Sequence, residues 1–327
     1  MDTQLVFVHL GSPIPLHLIL NMRRTSKLFP KNEIIFLTDR PSKLLKKNIH
    51  QKKIELDEED IKVRDKYAFP KDFRNNFWFS SLARFSLIDK YMANSQKPVL
   101  HIESDVVLSP DFPLEFIGNL NQSFAYPVVS HRRAIASTLF IKDSKSASFL
   151  WDYAQKMVES NSLSSDMEIL FSLHSQFPQM VFELPIAPQF LRREAEVTSN
   201  SESFEGFFDG HDFGVYVAGT NPWNSRGWSR LHARIPESLL SFDSKNIFFE
   251  RHRSFISLRD NRDIKSYKLY SLHITNKNPL FFSFLTSRLA IKIWTETMQA
   301  ADKTFHPLVW LIMLFRFLSK KIKALLT

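Results

Sequence analysis

Short apolar runs alternate with longer segments of helical periodicity along most of the chain. An apolar run of four to eight residues between turn signals is typical of a strand buried on both faces, and apolar residues three and four apart are typical of a helix. We predict strands at 5–10, 33–38, 99–108, 124–129, 136–141, 180–184 and 268–273, and helices at 15–29, 76–93, 146–159 and 164–174. This alternation predicts an α/β protein built on an open sheet.

Two of the predicted elements contain charged residues that need partners. The helix at 76–93 is apolar almost all round, so it should be buried together with Arg84. The run at 99–108 is interrupted by Glu103 and Asp105, and no basic residue lies beside them. Burying carboxylates without a partner is strongly unfavourable. Their partners must therefore come from elsewhere in the fold.

The ends of the predicted strands indicate where a ligand would bind. In open α/β sheets, ligands lie at the carboxyl ends of strands, which here are marked by His9, Gly11 and Asp39. Five of the seven glycines lie within residues 206–227. Glycine permits sharp turns and close approach of the backbone to a ligand, so we interpret this segment as a binding loop. A turn-rich loop without chemistry is the alternative.

Charge is unevenly distributed along the chain, whose formal net charge is +9. The lysine-rich segment 43–53 and the acidic segment 55–60 are interpreted as a solvated loop and helix. Five basic residues and no acidic residue follow Asp302, so residues 1–302 carry only +4, which is +9 less those five. This balance is ordinary for a soluble domain, and we expect no binding to nucleic acid.

The acid-x-acid pattern of Glu103 and Asp105 is a candidate metal site. The chain has no cysteine, so a metal would be held by oxygen and imidazole. Mg²⁺ and Mn²⁺ prefer oxygen ligands and keep open positions for the oxygens of a diphosphate. The pattern alone often arises by chance, but its apolar flanks and the helix before it make it more specific.

The segments SLARFSLIDKYM and VLHIESDVVLSPDF together resemble the core of the GT-A type nucleotide-sugar glycosyltransferases. The resemblance implies an open, mixed, mostly parallel sheet flanked by helices (a Rossmann-like GT-A fold) in a catalytic domain at 1–280. It also implies a Mn²⁺ or Mg²⁺ cofactor, a nucleotide-sugar donor such as a UDP-sugar, and a glycan or lipid-linked acceptor. The implied setting is the synthesis of a cell-surface polysaccharide.

The same resemblance assigns roles around the acid motif. The family motif is Asp-x-Asp, preceded by a helix whose basic residue meets the donor, and Arg84 takes that residue's place. Glu103 replaces the first Asp, Ser104 is the intervening residue, and Asp105 matches the more consistent metal ligand. Together with these residues, His9, Gly11 and Asp39 would bind the donor.

Two further segments extend the resemblance toward glycogenin-like, family 8-like members. In SSDMEILFSL, Asp166 matches the acid that faces the acceptor sugar in retaining members. In LHITNKNP, His273 matches a histidine that completes the metal site and Lys277 matches a lysine that binds the diphosphate, although the family's intervening glycine is missing. These matches favour retention of the anomeric configuration, in which the departing phosphate can take the acceptor's proton. An inverting enzyme would need a carboxylate base, with Asp166, Asp209 or Asp212 as candidates.

Two other functions stay open on the sequence. A sugar nucleotidyltransferase would also use an α/β sheet and a metal, but LGSPIPL after the first strand is not a glycine-rich phosphate loop. A non-catalytic, membrane-associated nucleotide-sugar-binding protein is compatible with a glutamate at the first acid position.

The segment 281–327 is predicted to be a basic amphipathic helical tail. Its longest uncharged apolar stretch, 307–315, is far shorter than the ~20 residues that span a bilayer. A helix with basic and aromatic residues lies naturally in the interface of an anionic membrane. We found no secretion signal in MDTQLVFVHLG, so we expect a peripheral protein on the cytoplasmic face. A final helix that packs on the sheet or on a second subunit is the alternative.

Overall fold

A computed structural model describes residues 2–11, 13–43, 45, 47–69, 77–161, 164–187, 200–218, 247–252, 255–260, 265–275 and 277. The strands are β1 (Gln4–His9), β2 (Ile34–Thr38), β3 (Ile49–Lys53), β4 (Val99–Ile102), β5 (Val106–Leu108), β6 (Phe124–Ser130), β7 (Arg133–Ala134), β8 (Thr138–Ile141), β9 (Val181–Leu184), β10 (Gly206–Phe208), β11 (Ile247–His252), β12 (Phe255–Asp260) and β13 (Lys265–His273). The helices are α1 (Leu16–Leu28), α2 (Glu58–Lys66), α3 (Phe77–Met92), α4 (Leu114–Gly118), α5 (Ser144–Ser160), α6 (Asp166–Gln176) and α7 (Asp212–Ala218).

An eight-stranded mixed sheet forms the centre of the fold. Its strand order is β3-β2-β1-β4-β8-β6-β7, with β9 beside β6. Four of the seven pairings are parallel, namely β2–β3, β1–β2, β1–β4 and β6–β9. The other three, β4–β8, β6–β8 and β6–β7, are antiparallel. The predicted α/β architecture with an open, mixed, mostly parallel sheet is therefore confirmed.

Helices cover both faces of this sheet, which explains why its inner strands β1, β2 and β4 are largely apolar. Successive residues of β1 point to opposite faces, so Val6 joins one apolar cluster while Leu5 and Phe7 join the other. The first cluster includes side chains of α3, α5 and α6. The second includes side chains of α1 and α4 and extends to Phe208 and Tyr270 of the second sheet.

A second, five-stranded sheet was only partly predicted. Its order is β10-β13-β12-β11, and β5 also pairs with β13. The sequence predicted the end of β13 and interpreted 206–227 as a loop. In its described part, that segment instead contains β10 and α7.

The predicted strand at 99–108 is two strands in two different sheets. β4 belongs to the large sheet and β5 pairs with β13 in the second sheet. Between them the chain turns at Glu103–Asp105, where Val106 N donates to the Glu103 carbonyl over 3.1 Å. The charged residues therefore occupy the corner that joins the two sheets.

The lysine-rich segment 43–53 differs from its interpretation as a solvated loop. Its second half is β3, an edge strand parallel to β2. Only Ile49 of β3 is buried, and exposed lysines on an edge strand disfavour pairing with other chains. The acidic segment does lead into a helix, because the Asp57 side chain accepts from Glu59 N and Asp60 N at the start of α2.

The tail at 281–327 and the glycine-rich residues 219–227 lie outside the described residues. Within the part of the chain that the structure describes, no helix combines the length and apolarity needed to cross a membrane.

Candidate active site

The turn at Glu103–Asp105 is held from three directions. Glu103 N donates to the Ser137 carbonyl over 3.1 Å, which ties the turn to the large sheet. From α1, the buried amide of Asn21 donates to the carbonyls of Val106 at 2.6 Å and Ser104 at 3.3 Å. Ile274 N donates to the Asp105 carbonyl over 2.7 Å. These bonds satisfy buried main-chain groups and fix the place of both carboxylates.

His273 lies beside this turn because β13 pairs with β5. The antiparallel register sets His273 opposite Val106, the residue that follows Asp105. Its Nε2 atom is 3.5 Å from an Asp105 carboxylate oxygen and 3.6 Å from a Glu103 carboxylate oxygen. The predicted acids and the predicted histidine thus meet across more than 160 positions of sequence.

Lys277 reaches the Asp105 carboxylate from the chain that follows β13. Its Nζ atom is 3.3 Å from Asp105 Oδ2 and 5.9 Å from the ring centre of Phe77. Its φ angle of 53° lies in the left-handed region that favours glycine. Lys277 thus has a backbone conformation that glycine adopts more easily. It does so in the segment where the motif that this chain resembles contains a glycine.

Arg84 on α3 is the partner of two carboxylates. Its guanidinium donates to Glu103 through Nη1 and to Asp166, the first residue of α6, through Nη2. The three side chains are between 7% and 17% exposed. The sequence predicted that a buried Arg84 needs a partner. The structure supplies two, Glu103 of the acid-x-acid motif and Asp166 of α6.

The charges of this cluster shift one another's ionisation. Burial would raise the pKa of Asp105, but Lys277 and His273 hold it well below its ordinary value. Burial also opposes ionisation of Glu103, whose pKa is nevertheless lowered by Arg84 and His273. For His273, burial is outweighed by Asp105 and Glu103, which raise its pKa to about 9. Burial raises the pKa of Asp166 above its ordinary value in spite of Arg84.

The Glu103, Asp105 and His273 side chains fit a hard divalent cation. One ligand atom from each lies within 4.8 Å of the others. This is close to the ~4.2 Å that separates opposite ligands of an ion bound at about 2.1 Å. Two carboxylates and an imidazole are suitable ligands for Mn²⁺ or Mg²⁺. His273 would have to release a proton to bind the ion.

The predicted donor residues His9, Gly11 and Asp39 lie together at the carboxyl ends of β1 and β2. Gly11 N donates to Asp39 Oδ1 over 2.9 Å, and Gly11 has a φ of 83°, which favours glycine. Burial lowers the pKa of His9, and the charges of both Asp39 and Lys277 act on it. This edge of the large sheet therefore adjoins the acid cluster.

Sequence reasoning missed His17, which lies in the first turn of α1. It is 7% exposed, and burial lowers its pKa to about 4, with smaller effects from Asp105 and Lys277. The available signal was its position in the helix that follows β1, because the start of that helix faces the carboxyl end of the sheet.

Asp209 and Asp212 differ from each other in their surroundings. Asp209 is fully buried, and its carboxylate accepts main-chain hydrogen bonds, one of them from His273 N over 2.8 Å. Asp212 starts α7 and lies 3.9 Å from His211 Nδ1. The His211 ring packs edge-on against the His273 ring at a centroid distance of 5.7 Å. Asp209 thus contacts the main chain of His273 directly, whereas Asp212 is connected to His273 through the His211 ring.

No family model matches this chain, and no curated protein matches it significantly. Solved structures do show similar folds. The galactosyltransferase LgtC, in complex with donor and acceptor sugar analogs, is 16% identical over 56% of this chain and 73% of its own, with a TM-score of 0.43. PaToxG glycosyltransferase is 10% identical over 54% and 70%, with a TM-score of 0.37. Mouse xyloside xylosyltransferase 1 is 11% identical over 57% and 86%, with a TM-score of 0.35. All three of these structures are glycosyltransferases by name.

Proposed function

We propose that this chain is a divalent-metal-dependent glycosyltransferase that moves a sugar from a nucleotide-sugar to an acceptor hydroxyl. The observation that carries the proposal is the acid and imidazole cluster of Glu103, Asp105 and His273, which has Lys277 and Arg84 beside it. Metal ligands next to two cations are what a leaving diphosphate requires, because negative charge develops on it as the bond to the sugar breaks.

Each residue would make a separate contribution to this reaction. Glu103, Asp105 and His273 would hold Mn²⁺ or Mg²⁺, which supplies Lewis-acid stabilisation of the diphosphate when bound. The ammonium group of Lys277, 3.3 Å from Asp105, would exchange that carboxylate for a phosphate oxygen of the donor. Arg84 favours the ionised form of Glu103 and holds both Glu103 and Asp166 in place. Gly11 and Asp39 would bind the nucleoside end of the donor.

We propose a retaining outcome, since the surroundings of two of the three candidate bases disfavour removal of a proton from the acceptor. Asp166 is engaged by Arg84, and Asp209 by main-chain donors, so neither carboxylate is arranged to remove a proton from an acceptor. In a retaining reaction, the departing phosphate takes that proton. Asp212 is the carboxylate that an inverting reaction would use.

The finer parts of the proposal concern the partners. We propose a UDP-sugar as donor and a glycan or lipid-linked acceptor of cell-surface polysaccharide synthesis. Residues 1–280 would form the catalytic domain, and the tail at 281–327 would hold the protein on the cytoplasmic face of an anionic membrane. The support is the sequence pattern of the tail, with its five basic residues after Asp302.

Donor hydrolysis tests the proposed activity. The full chain with Mn²⁺ should slowly release the nucleoside diphosphate from at least one nucleotide-sugar in a panel. Asp105→Asn should abolish this release, because it removes a metal ligand and a negative charge. The matched control is Asp152→Asn, which changes an exposed aspartate of α5 and should retain the activity.

The result separates three functions. Release of nucleoside diphosphate that depends on Asp105 supports the transferase. Turnover only with pyrophosphate would replace it with a nucleotidyltransferase. Donor binding without turnover would replace it with a non-catalytic binding protein.

A further inference from the structure

The Asp209 carboxylate joins two parts of the chain that meet behind the metal-binding cluster. Its Oδ1 atom accepts from His211 N at 2.8 Å and from Phe213 N at 3.0 Å. Its Oδ2 atom accepts from Gly214 N at 2.7 Å and from His273 N at 2.8 Å. The side chain is 0% exposed, so these four donors take the place of water. A single carboxylate therefore fastens the start of α7 to the main chain of His273.

The local backbone is built to bring Asp209 to this place. β10 runs parallel to β13, and the register of this pairing shifts between Phe207 and Phe208, just before Asp209. Asp209 N then donates to the Ser271 hydroxyl over 3.1 Å. The residue is thus held both by its main chain and by its side chain.

Close packing of α7 on His273 completes the arrangement. A Cβ atom on Gly214 would lie 1.7 Å from the His273 carbonyl oxygen, so glycine is needed for this approach. On the other side, the His211 ring packs edge-on against the imidazole of His273. The main-chain N–H, the carbonyl and the ring of His273 are therefore all in contact with residues 209–214.

We propose that Asp209 is a positioning residue, which fixes His273 for metal binding by holding its main chain against α7. This inference rests on the proposed metal site. It gives Asp209 a different task from the general base that the sequence suggested, because four main-chain N–H groups already engage both oxygens of its carboxylate. Residues that orient a metal ligand affect metal affinity even though they do not touch the ion.

Mn²⁺ binding to the full-length protein without donor tests the inference, with the electron paramagnetic resonance signal of free Mn²⁺ as readout. Asp209→Asn keeps one acceptor oxygen but presents an NH₂ group to two main-chain donors. We expect it to bind Mn²⁺ about 10- to 100-fold more weakly than the unaltered protein. The matched control is Asp60→Asn, since Asp60 is also 0% exposed and accepts a main-chain hydrogen bond at the start of α2. That variant should lose stability but keep its Mn²⁺ affinity.

Ser271→Ala covers the case in which Asp209→Asn does not fold. It removes the hydroxyl that accepts from Asp209 N and creates no buried charge, so we expect a folded protein with about threefold weaker Mn²⁺ binding. If the unaltered protein binds Mn²⁺ and the folded variants bind it equally well, the positioning role is overturned while the metal site stands. If the unaltered protein itself binds no Mn²⁺, the proposed metal site fails, and the positioning role fails with it.

Discussion

Replacing Arg84 by methionine removes the guanidinium between Glu103 and Asp166 while keeping most of the apolar stem of the side chain. Both carboxylates are largely buried, at 17% and 7% exposure. Glu103 keeps His273 at 3.6 Å as a partial replacement partner. Asp166 loses its cation, and burial already raises its pKa with Arg84 in place. The main cost of the substitution should therefore fall on Asp166.

Breaking a buried ion pair by removing one partner typically costs about 3–5 kcal/mol, because the remaining charge stays buried and uncompensated. We expect Arg84→Met to lower the free energy of unfolding by about this amount at pH 7. The loss should be smaller at pH 5, since the uncompensated carboxyls then take up protons and become neutral. The double variant Arg84→Met/Asp166→Asn removes the uncompensated charge and should recover at least about half of the loss.

Urea denaturation followed by circular dichroism, with matched pH 7 and pH 5 series, measures these differences. The slope of unfolding free energy against urea should stay the same, so that midpoints can be compared. Asp152→Asn serves as a control for loss of an exposed carboxylate. An exposed ion pair typically contributes less than about 1 kcal/mol. If Arg84→Met lowers the free energy of unfolding at pH 7 by no more than this amount, the reasoning from burial is refuted.

Two further predictions concern acid stability and the tail. Burial, helped by Arg84, lowers the pKa of His101 from 6.5 to about 3. Between these two pH values the imidazole is protonated in the unfolded state but neutral in the folded state. The free energy of unfolding should therefore decrease as the pH falls from 6.5 to 3, by up to about 1.4 kcal/mol for each pH unit. His101→Gln should flatten this dependence in urea unfolding, and parallel curves for the two proteins would contradict it. Truncation after Asp302 should abolish sedimentation with anionic liposomes at low salt without changing hydrolysis of soluble donor. Sedimentation of the truncated chain to the same extent would exclude the tail as the anchor.

Local pattern was enough to predict most elements of the large sheet. Burial on both faces requires apolar residues throughout a strand, and that requirement is visible within a few positions, as at β2 and β6. Helix α6 was predicted from its periodicity, and the Ser165 hydroxyl just before it accepts from Glu168 N. β3 was missed because an edge strand needs little apolar surface, and its lysines gave the pattern of a loop.

The residue types of the candidate site were also visible in sequence, but their partners were not. A buried arginine and a buried acid-x-acid pattern each require compensation, which identifies Arg84, Glu103 and Asp105 as residues that need partners. Lys277 and His273 were matched through a family resemblance, and no spacing rule connects them to Asp105.

Tertiary structure alone decided which of these groups meet. Pairing of β5 with β13 brings His273 to Asp105, and α6 brings Asp166 to Arg84. The same packing lets the Asp209 carboxylate accept hydrogen bonds from four main-chain N–H groups. The position of Asp209 in a glycine-rich segment did not indicate this role. The physical reason is that a charge's need for a partner is a local property of the sequence, whereas the identity of that partner depends on contacts made only when distant strands pair.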